Sequence, residues 1–334
     1  MNILLTSSGR RSYLARYFQK VIGESGAIHA VNSEGMVSSS LDADSFSVAP
    51  RVFDQNYFDF IMQYCSKNQI DLIIPLIDLD ALVLSRSFSS ISGGKTSLLS
   101  SAPEVHELVL DKYETNIFLS ENGFDTIKIF VDYNSALDAL DKKEVAFPLI
   151  VKPRMGWGSN FMKVVHSKSE LHHALELGKI EIRRQYGQFA SLGKGIEKLV
   201  IQEYVSGKEF ALSTLSDLAK RPIATSVVEK VRMRAGETEV GRVIHDEQME
   251  ELGQKVVLLF GIQGPADIDI IRTESRSFIL DINPRFGGSY PFAHESGMNF
   301  VETIVDWSLR ESRKISCSHN LCGTVIYKDI CLRA

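Results

Sequence analysis

Short apolar runs alternate with helically spaced apolar positions through the first part of the chain. Ile3-Leu4-Leu5 inside Asn2 to Thr6 predicts a buried strand, and Ser7-Ser8-Gly9-Arg10-Arg11 predicts a turn. Leu14, Tyr17, Phe18 and Val21 fall on one face of a helix. Ile28 to Val31 predicts a second strand. Asp54 is placed to cap a helix whose stripe is Phe58, Ile61, Met62 and Cys65. Asp71 to Leu76 predicts a third strand, ending at Asp78-Leu79-Asp80. Strand, helix, strand, helix, strand implies a small doubly wound parallel sheet. The Ser/Gly-rich stretch Ser85 to Ser101 predicts a connection that closes a first domain of residues 1–100.

The pattern then changes to hairpins. Asp111 predicts a helix N-cap, with Glu114 as its capping-box partner, Lys112 at the first helical position and Gly123 as terminator. Phe147 to Arg154 reads as a strand that delivers Lys152 into a loop, Met155-Gly156-Trp157-Gly158-Ser159-Asn160, with Phe161 to Val165 returning. A helix from about Ser169 carries Leu171, Leu175 and Leu177, and Gln185 to Gly195 has few apolar anchors and reads as mobile. Leu199 to Val205, Phe210 to Leu215 and Ile223 to Val231 predict further strands. Arg232, Arg234 and Arg242 flank a turn at Gly236. Asp246 caps a helix that turns Met249, Leu252, Val256 and Leu259 inward and closes at Gly261. Ala266 to Ser289 reads as two strands joined by the polar turn Thr273-Glu274-Ser275-Arg276.

Composition narrows the classes. The 334 residues carry a net charge of −5, which gives no broad basic surface for nucleic acid. No apolar stretch approaches a membrane span, and Ile3-Leu4-Leu5 is too short for a signal peptide, so a cytoplasmic, membrane-free protein is expected. Cys65, Cys317, Cys322 and Cys331, with His319, fit no common zinc spacing and read as free thiols. The dinucleotide fingerprint is missing, with only Gly9 present and Asn32 where a ribose-binding acid would stand. No G-x-S-x-G elbow accompanies His245-Asp246. Ser8, Gly9, Arg10 and Asp78 lie at carboxyl ends of strands, where open α/β sheets bind ligands; a turn and a solvated helix start account for them equally.

Two stretches carry chemistry. Alternation puts Asp281 and Asn283 on one face of their strand, with Asp269 on the partner strand and Arg285 two residues further on. Clustered oxygen ligands suit a hard cation such as Mg²⁺, and an adjacent arginine suits a phosphate or acyl-phosphate oxygen. An ordinary acidic hairpin explains these residues equally well. In the second stretch, a glycine-rich hairpin fed by Lys152-Pro153-Arg154 exposes backbone N–H groups to phosphate without being a Walker A loop.

Asp281-Ile282-Asn283-Pro284-Arg285-Phe286-Gly287-Gly288-Ser289 resembles the metal-binding strand of the ATP-grasp superfamily, and most of all its carbamoyl-phosphate synthase large-chain-like branch. Asp281 stands where Glu is usual. Lys152-Pro153 through Gly156, Gly158 and Ser159 is similar to that family's phosphate-loop pattern, with Phe161 where a further glycine is common. The resemblance implies an N-terminal Rossmann-like domain followed by a two-part ATP-grasp domain over 101–334, its lid at about 125–205. It implies ATP held by Lys112, Lys152, Arg154, Gly156, Gly158 and Ser159, with Gln202, Glu203 and Val205 at the adenine and Glu209 at the ribose. Asp269, Asp281 and Asn283 would hold Mg²⁺, with Mn²⁺ as a substitute. Arg285 would stabilise the moving phosphoryl group and the acyl phosphate, and Lys230 and Arg232 would hold an anionic substrate or the transferred phosphoryl group. The implied reaction joins a small-molecule carboxylate to an amine or related nucleophile through an acyl phosphate, releasing ADP and phosphate, in a chain compatible with a homodimer. The alternatives are a carbamoyl-phosphate-synthase-like kinase or carbamate-forming enzyme, and a non-catalytic ATP sensor.

Overall fold

The computed structural model describes residues 1–88, 95–155, 161–186, 198–234, 236–308 and 322–329. In chain order the first elements are β1 (Asn2–Thr6), α1 (Ser12–Ile22), β2 (Ala27–Asn32), α2 (Ser39–Asp42), β3 (Ser45–Val48), α3 (Tyr57–Asn68), β4 (Leu72–Pro75), α4 (Asp78–Phe88), β5 (Ser97–Leu98) and α5 (Pro103–Leu110). Next come α6 (Lys112–Glu121), β6 (Ile129–Phe130), α7 (Tyr133–Asp141), β7 (Leu149–Pro153), β8 (Lys163–Val165), α8 (Lys168–Tyr186), β9 (Leu199–Glu203), β10 (Lys208–Ser216), β11 (Pro222–Arg234) and β12 (Glu237–Ile244). The last are α9 (Glu247–Phe260), β13 (Gly264–Arg272), β14 (Ser277–Asn283), α10 (Tyr290–Glu295), α11 (Phe300–Ser308) and β15 (Val325–Tyr327).

The chain divides into two compact units. The first comprises Met1–His106, Ala211–Ile268 and Asn283–Ala334; the second comprises Glu107–Phe210 and Asp269–Ile282. The sheets run β3-β2-β1-β4-β5, β14-β13-β10-β11-β12-β15 and β6-β9-β7-β8. The N-terminal sheet is parallel throughout, as the strand–helix alternation predicts. Its two faces are packed: Ile3, Leu5, Ile28 and Ile74 meet α1 and α11 on one side, while Leu4, Val31 and Ile73 meet α3 and α4 on the other. In the second unit, Leu149, Val151, Leu199 and Ile201 pack on Ala136, Leu171 and Ile182 of the flanking helices.

Several local expectations change. β3 is an additional strand, paired with β2; Ser45-Phe46-Ser47-Val48 is too short and too polar to read as one. Ser85 lies within helix α4 rather than at the start of a connection. That helix buries Asp78, Leu79, Asp80, Ala81, Leu82 and Leu84 on several sides, so it shows no amphipathic stripe. Asp54 is not the cap of α3; its carboxylate accepts from the Asn56 N–H at 2.9 Å, one turn before the helix starts. Leu177 is 48% exposed, because α8 packs through Leu171, Ala174 and Ile182. In α9 the inward face is Met249, Gly253, Val256, Val257 and Phe260, so Leu252 and Leu259 lie at its margin. Asp111 does cap α6 and Asp246 does cap α9. Gln185 and Tyr186 lie in α8, while the rest of the stretch read as mobile, with Cys317, His319 and Cys331, is outside the described residues.

Candidate functional site

The second unit gathers charge around the start of α6. Asp111 accepts from the N–H groups of Tyr113 at 3.1 Å and Glu114 at 3.2 Å, which fixes the first turn and so the position of Lys112. The Lys112 N–H donates to the Arg154 carbonyl at 3.0 Å, tying the end of β7 to the helix start. Lys152 and Val200 oppose each other across β7 and β9, as do Ile150 and Gln202, so Lys152 and Gln202 share a face of that sheet. Both line a pocket together with Val109, Lys112, Ile279 and Asp281. Ile279 and Asp281 reach it from alternate positions of β14.

Electrostatics in this pocket are unbalanced. Lys112 Nζ stands 3.9 Å from Asp281 Oδ1. The ammonium of Lys152 is enclosed although the residue as a whole is only partly buried. Burial pushes its pKa down to about 8, the neighbouring Lys112 pushes the same way, and Asp281 opposes both. Lys152 thus feels a like charge from Lys112 and an opposite one from Asp281. The Gln202 side-chain oxygen is buried with no hydrogen-bond partner. A donor fits the unmet Gln202 oxygen, and an anionic group fits the enclosed Lys152 ammonium.

The remaining expected site residues of this unit are dispersed. Arg154 commits its guanidinium to Asp111, with Nε 2.8 Å from Oδ1, and to Glu114, with Nη2 2.9 Å from Oε1, and lies over the Tyr113 ring. This also takes Glu114 out of the reciprocal capping box. Glu203 points away from Lys152 and accepts weakly from the Lys128 N–H at 3.5 Å. Val205 packs with Ile127, Ile271 and Phe278. Glu209 is exposed on β10, and Asp269 is half-buried on β13. Gly156, Gly158 and Ser159, with Trp157, lie outside the described residues. Phe161 takes the left-handed φ of 52° that a glycine adopts without cost, and its ring joins the apolar core at a place where Gly178 has no side chain.

In the first unit, Arg285 is held on three sides. Its Nη2 donates to Asp78 Oδ2 at 2.9 Å and to Asn283 Oδ1 at 3.0 Å, and its Nη1 to the Phe286 carbonyl at 3.2 Å. Asn283 donates to the Asp267 carbonyl at 3.4 Å, and Ser289 donates to the Asp267 carboxylate through a short bond. Gly287 packs so closely on that carboxylate that an added Cβ would lie 2.0 Å from Asp267 Cγ. Arg11, from the turn after β1, is enclosed in the same neighbourhood; Asp78, Asp267 and Arg285 all act on it electrostatically. Arg10 instead extends into solvent beside Glu237 at 3.3 Å. The sequence offered no sign that the second of two adjacent arginines turns inward. Arg232 and Arg234 both pair with Glu239, at 2.7 and 3.1 Å, on the exposed β11–β12 hairpin, and Lys230 faces Gly241 beside a bulge. His294 stacks on Tyr17 with ring centroids 3.6 Å apart.

The donor chemistry of the pocket suits an anionic ligand and a hard cation: Asp281 supplies carboxylate oxygen beside Lys112 and Lys152, with no thiol or imidazole among the lining residues. Among the described residues no group of three His, Cys, Asp or Glu side chains forms a closed metal cage. A divalent ion at this site would therefore need oxygens from its nucleotide as well. Among the described residues no helix is long and apolar enough to cross a membrane.

Comparison with known proteins covers most of the chain. A family model described as "PylC-like, N-terminal domain" matches residues 3–92, and one described as "ATP-grasp domain" matches residues 109–289, more than half of the chain. The carbamoyl phosphate synthase large chain of Clostridium beijerinckii is 25% identical over 171 residues, 48% of this chain and 15% of that protein. This chain thus spans only a small part of that relative's length. The biotin carboxylase domain of Hydrogenobacter thermophilus 2-oxoglutarate carboxylase, solved with MgADP and bicarbonate, superposes with a TM-score of 0.75 at 15% identity, over 97% of this chain and 73% of that one. Staphylococcus aureus N5-carboxyaminoimidazole synthetase with ADP gives 0.71 at 15% identity, over 93% and 78%.

Proposed function

The chain belongs to the ATP-grasp family, and from that premise we propose that it is an ATP-dependent ligase that joins a small carboxylic acid to an amine or related nucleophile. The observation that carries this reading is the pocket in the second unit, which Lys112, Lys152, Asp281 and Gln202, with its unsatisfied side-chain oxygen, line together. An enclosed lysine with a second, part-buried lysine beside it favours a phosphate chain. Structural relatives solved with MgADP or ADP support the same nucleotide and ion here.

Lys112 and Lys152 would hold phosphate oxygens, and Gln202 with the neighbouring Glu203 and Val205 main chain would receive the base. Glu209 remains the candidate for the ribose. Asp269, Asp281 and Asn283 would hold Mg²⁺. Bound ATP with its ion supplies a phosphoryl group that converts the acid to an acyl phosphate, which the amine opens as phosphate leaves and the nitrogen releases a proton. Arg285, braced by Asp78 and Asn283, supplies fixed positive charge for the oxygens that gain charge. Arg232, already paired with Glu239, would need to exchange that partner to reach a substrate. No covalent enzyme group is required; the residues align reactants and neutralise charge.

The test is a screen of amino acids and small carboxylates, each with ammonia, hydroxylamine and simple amines, for Mg-ATP-dependent ADP release. A hit whose product is an amide or hydroxamate supports the ligase. A stable phosphorylated product assigns a kinase instead, and no stimulated ADP release by any acid removes the reading.

A further inference from the structure

Buried polar atoms without a partner are rare in folded chains, and the first unit holds several on side chains that act on one another. Asp78 is 5% exposed; its Oδ2 takes the Arg285 bond, while its Oδ1 accepts nothing. Arg11 Nη1 is enclosed and donates to nothing. His106, also buried, uses Nε2 on Ser100 at 2.8 Å and leaves Nδ1 without a partner. Asp78 acts electrostatically on both Arg11 and His106.

The backbone brings these groups together by rule. Arg11 follows the carboxyl end of β1, after a turn that uses left-handed φ at Ser7 and Gly9, and Asp78 follows the carboxyl end of β4. β1 and β4 are adjacent and parallel, with Thr6 opposite Pro75, so both side chains start from the ligand-binding edge of one sheet. An arginine and an aspartate that act on each other electrostatically ordinarily pair. Here each leaves one atom unmet, the arginine a donor and the aspartate an acceptor, while Arg285 adds a second positive group beside them. A simple carboxylate would satisfy Arg11 and leave Asp78 Oδ1 unmet. A simple amine would do the reverse. A molecule carrying both charges answers both.

We propose that Arg11, Asp78 and Arg285 form the acid-substrate subsite, and that it takes a small zwitterion, a carboxylate with an ammonium group close by, of which α-amino acids are the simplest. The carboxylate lies against the two arginines and the ammonium donates to Asp78 Oδ1. The identification of this carboxylate as the activated one rests on the ligase reading above; the binding itself does not.

Calorimetry without nucleotide tests the binding. The probes are the standard L-amino acids, β-alanine and 4-aminobutyrate, each set against partners lacking one charge: phenylalanine with 3-phenylpropionate and phenethylamine, leucine with 4-methylpentanoate and isoamylamine, aspartate with succinate. At least one zwitterion should bind about tenfold or more tighter than both stripped partners. Arg11→Gln should weaken it by about tenfold or more, and Arg11→Lys by less. Asp78→Asn should bring the des-amino acid level with the zwitterion. The wild-type comparison needs no variant, so a variant that fails to fold leaves the test intact. Equal binding of zwitterion and stripped partners, no binding by any probe, or an unaffected and folded Arg11→Gln overturns the proposal, with ordered water then filling these sites. If the zwitterion binds but never stimulates ADP release with any amine, the subsite stands and the ligase reading falls.

Discussion

Replacing Lys152 with methionine should trade nucleotide affinity for stability, with opposite pH signatures. In the folded chain the Lys152 pKa is lowered from 10.5 to about 8 by burial and by Lys112. The unfolded chain therefore still binds this proton between about pH 8 and pH 10.5 while the folded one does not, and stability rises with pH across that window. Below pH 8 the full cost of the enclosed charge, about 3 kcal/mol, is borne by the folded state. Lys152→Met removes that cost. At pH 7 the variant should be more stable by up to about 3 kcal/mol, with the pH slope gone. Nucleotide binding moves the other way. A lost charge-assisted contact to phosphate is worth about 2–3 kcal/mol, or about 30- to 150-fold in Kd. For the wild type, ATP affinity should weaken by up to about tenfold per pH unit above pH 8, with proton uptake on binding. Denaturant titrations and calorimetry in buffers of different ionisation enthalpy, from about pH 7 to 9.5, read all of this. Unchanged ATP affinity in Lys152→Met, or a wild-type affinity flat across that range, would refute the placement of this lysine against phosphate.

Other expected outcomes follow from the same contacts. Arg285→Ala should retain ATP binding and lose most turnover, and leaving Asp78 buried without its partner should cost about 3 kcal/mol of stability. Adding Asp78→Asn should recover part of that stability but not the turnover, in a double-mutant cycle of melts and rates. Arg154→Ala should lower stability by about 1–2 kcal/mol through the loss of its bonds to Asp111 and Glu114, while changing nucleotide Kd less than Lys152→Met does. Gly287→Ala should be destabilising by more than about 2 kcal/mol, because its Cβ would lie 2.0 Å from Asp267 Cγ; a melting point equal to the wild type would show that the loop after β14 yields freely.

The strand–helix grammar of the N-terminal sheet was readable because Ile3-Leu4-Leu5, Ile28 to Val31 and Leu72 to Ile74 are continuous apolar runs, as doubly covered parallel strands must be. Caps at Asp111 and Asp246 were readable because capping is local chemistry. What escaped depends on distant neighbours. β3 is defined by pairing with β2 and not by its own composition. α4 is packed on several sides and has no stripe to show. At the site, Asp281 and Lys152 come from strand alternation and the glycine-rich hairpin and Lys112 and Gln202 from motif resemblance, and all four line one pocket. Arg154 belongs to the same motif, yet its guanidinium is spent on the α6 N-terminus, a choice set by Asp111 forty-three positions earlier in the chain. Arg11 had no motif at all. Its importance comes from being turned inward beside Asp78 and Arg285, while Arg10, with the same side chain, is 87% exposed.

The most direct measurement follows oxygen. With the acid selected by the ADP-release screen labelled with ¹⁸O in its carboxylate, turnover with Mg-ATP and an amine should place one labelled oxygen in the released phosphate, because that oxygen bridges carbon and phosphorus before the amine displaces it. Phosphate free of label, formed alongside the condensed product, would contradict activation of the acid by this nucleotide site.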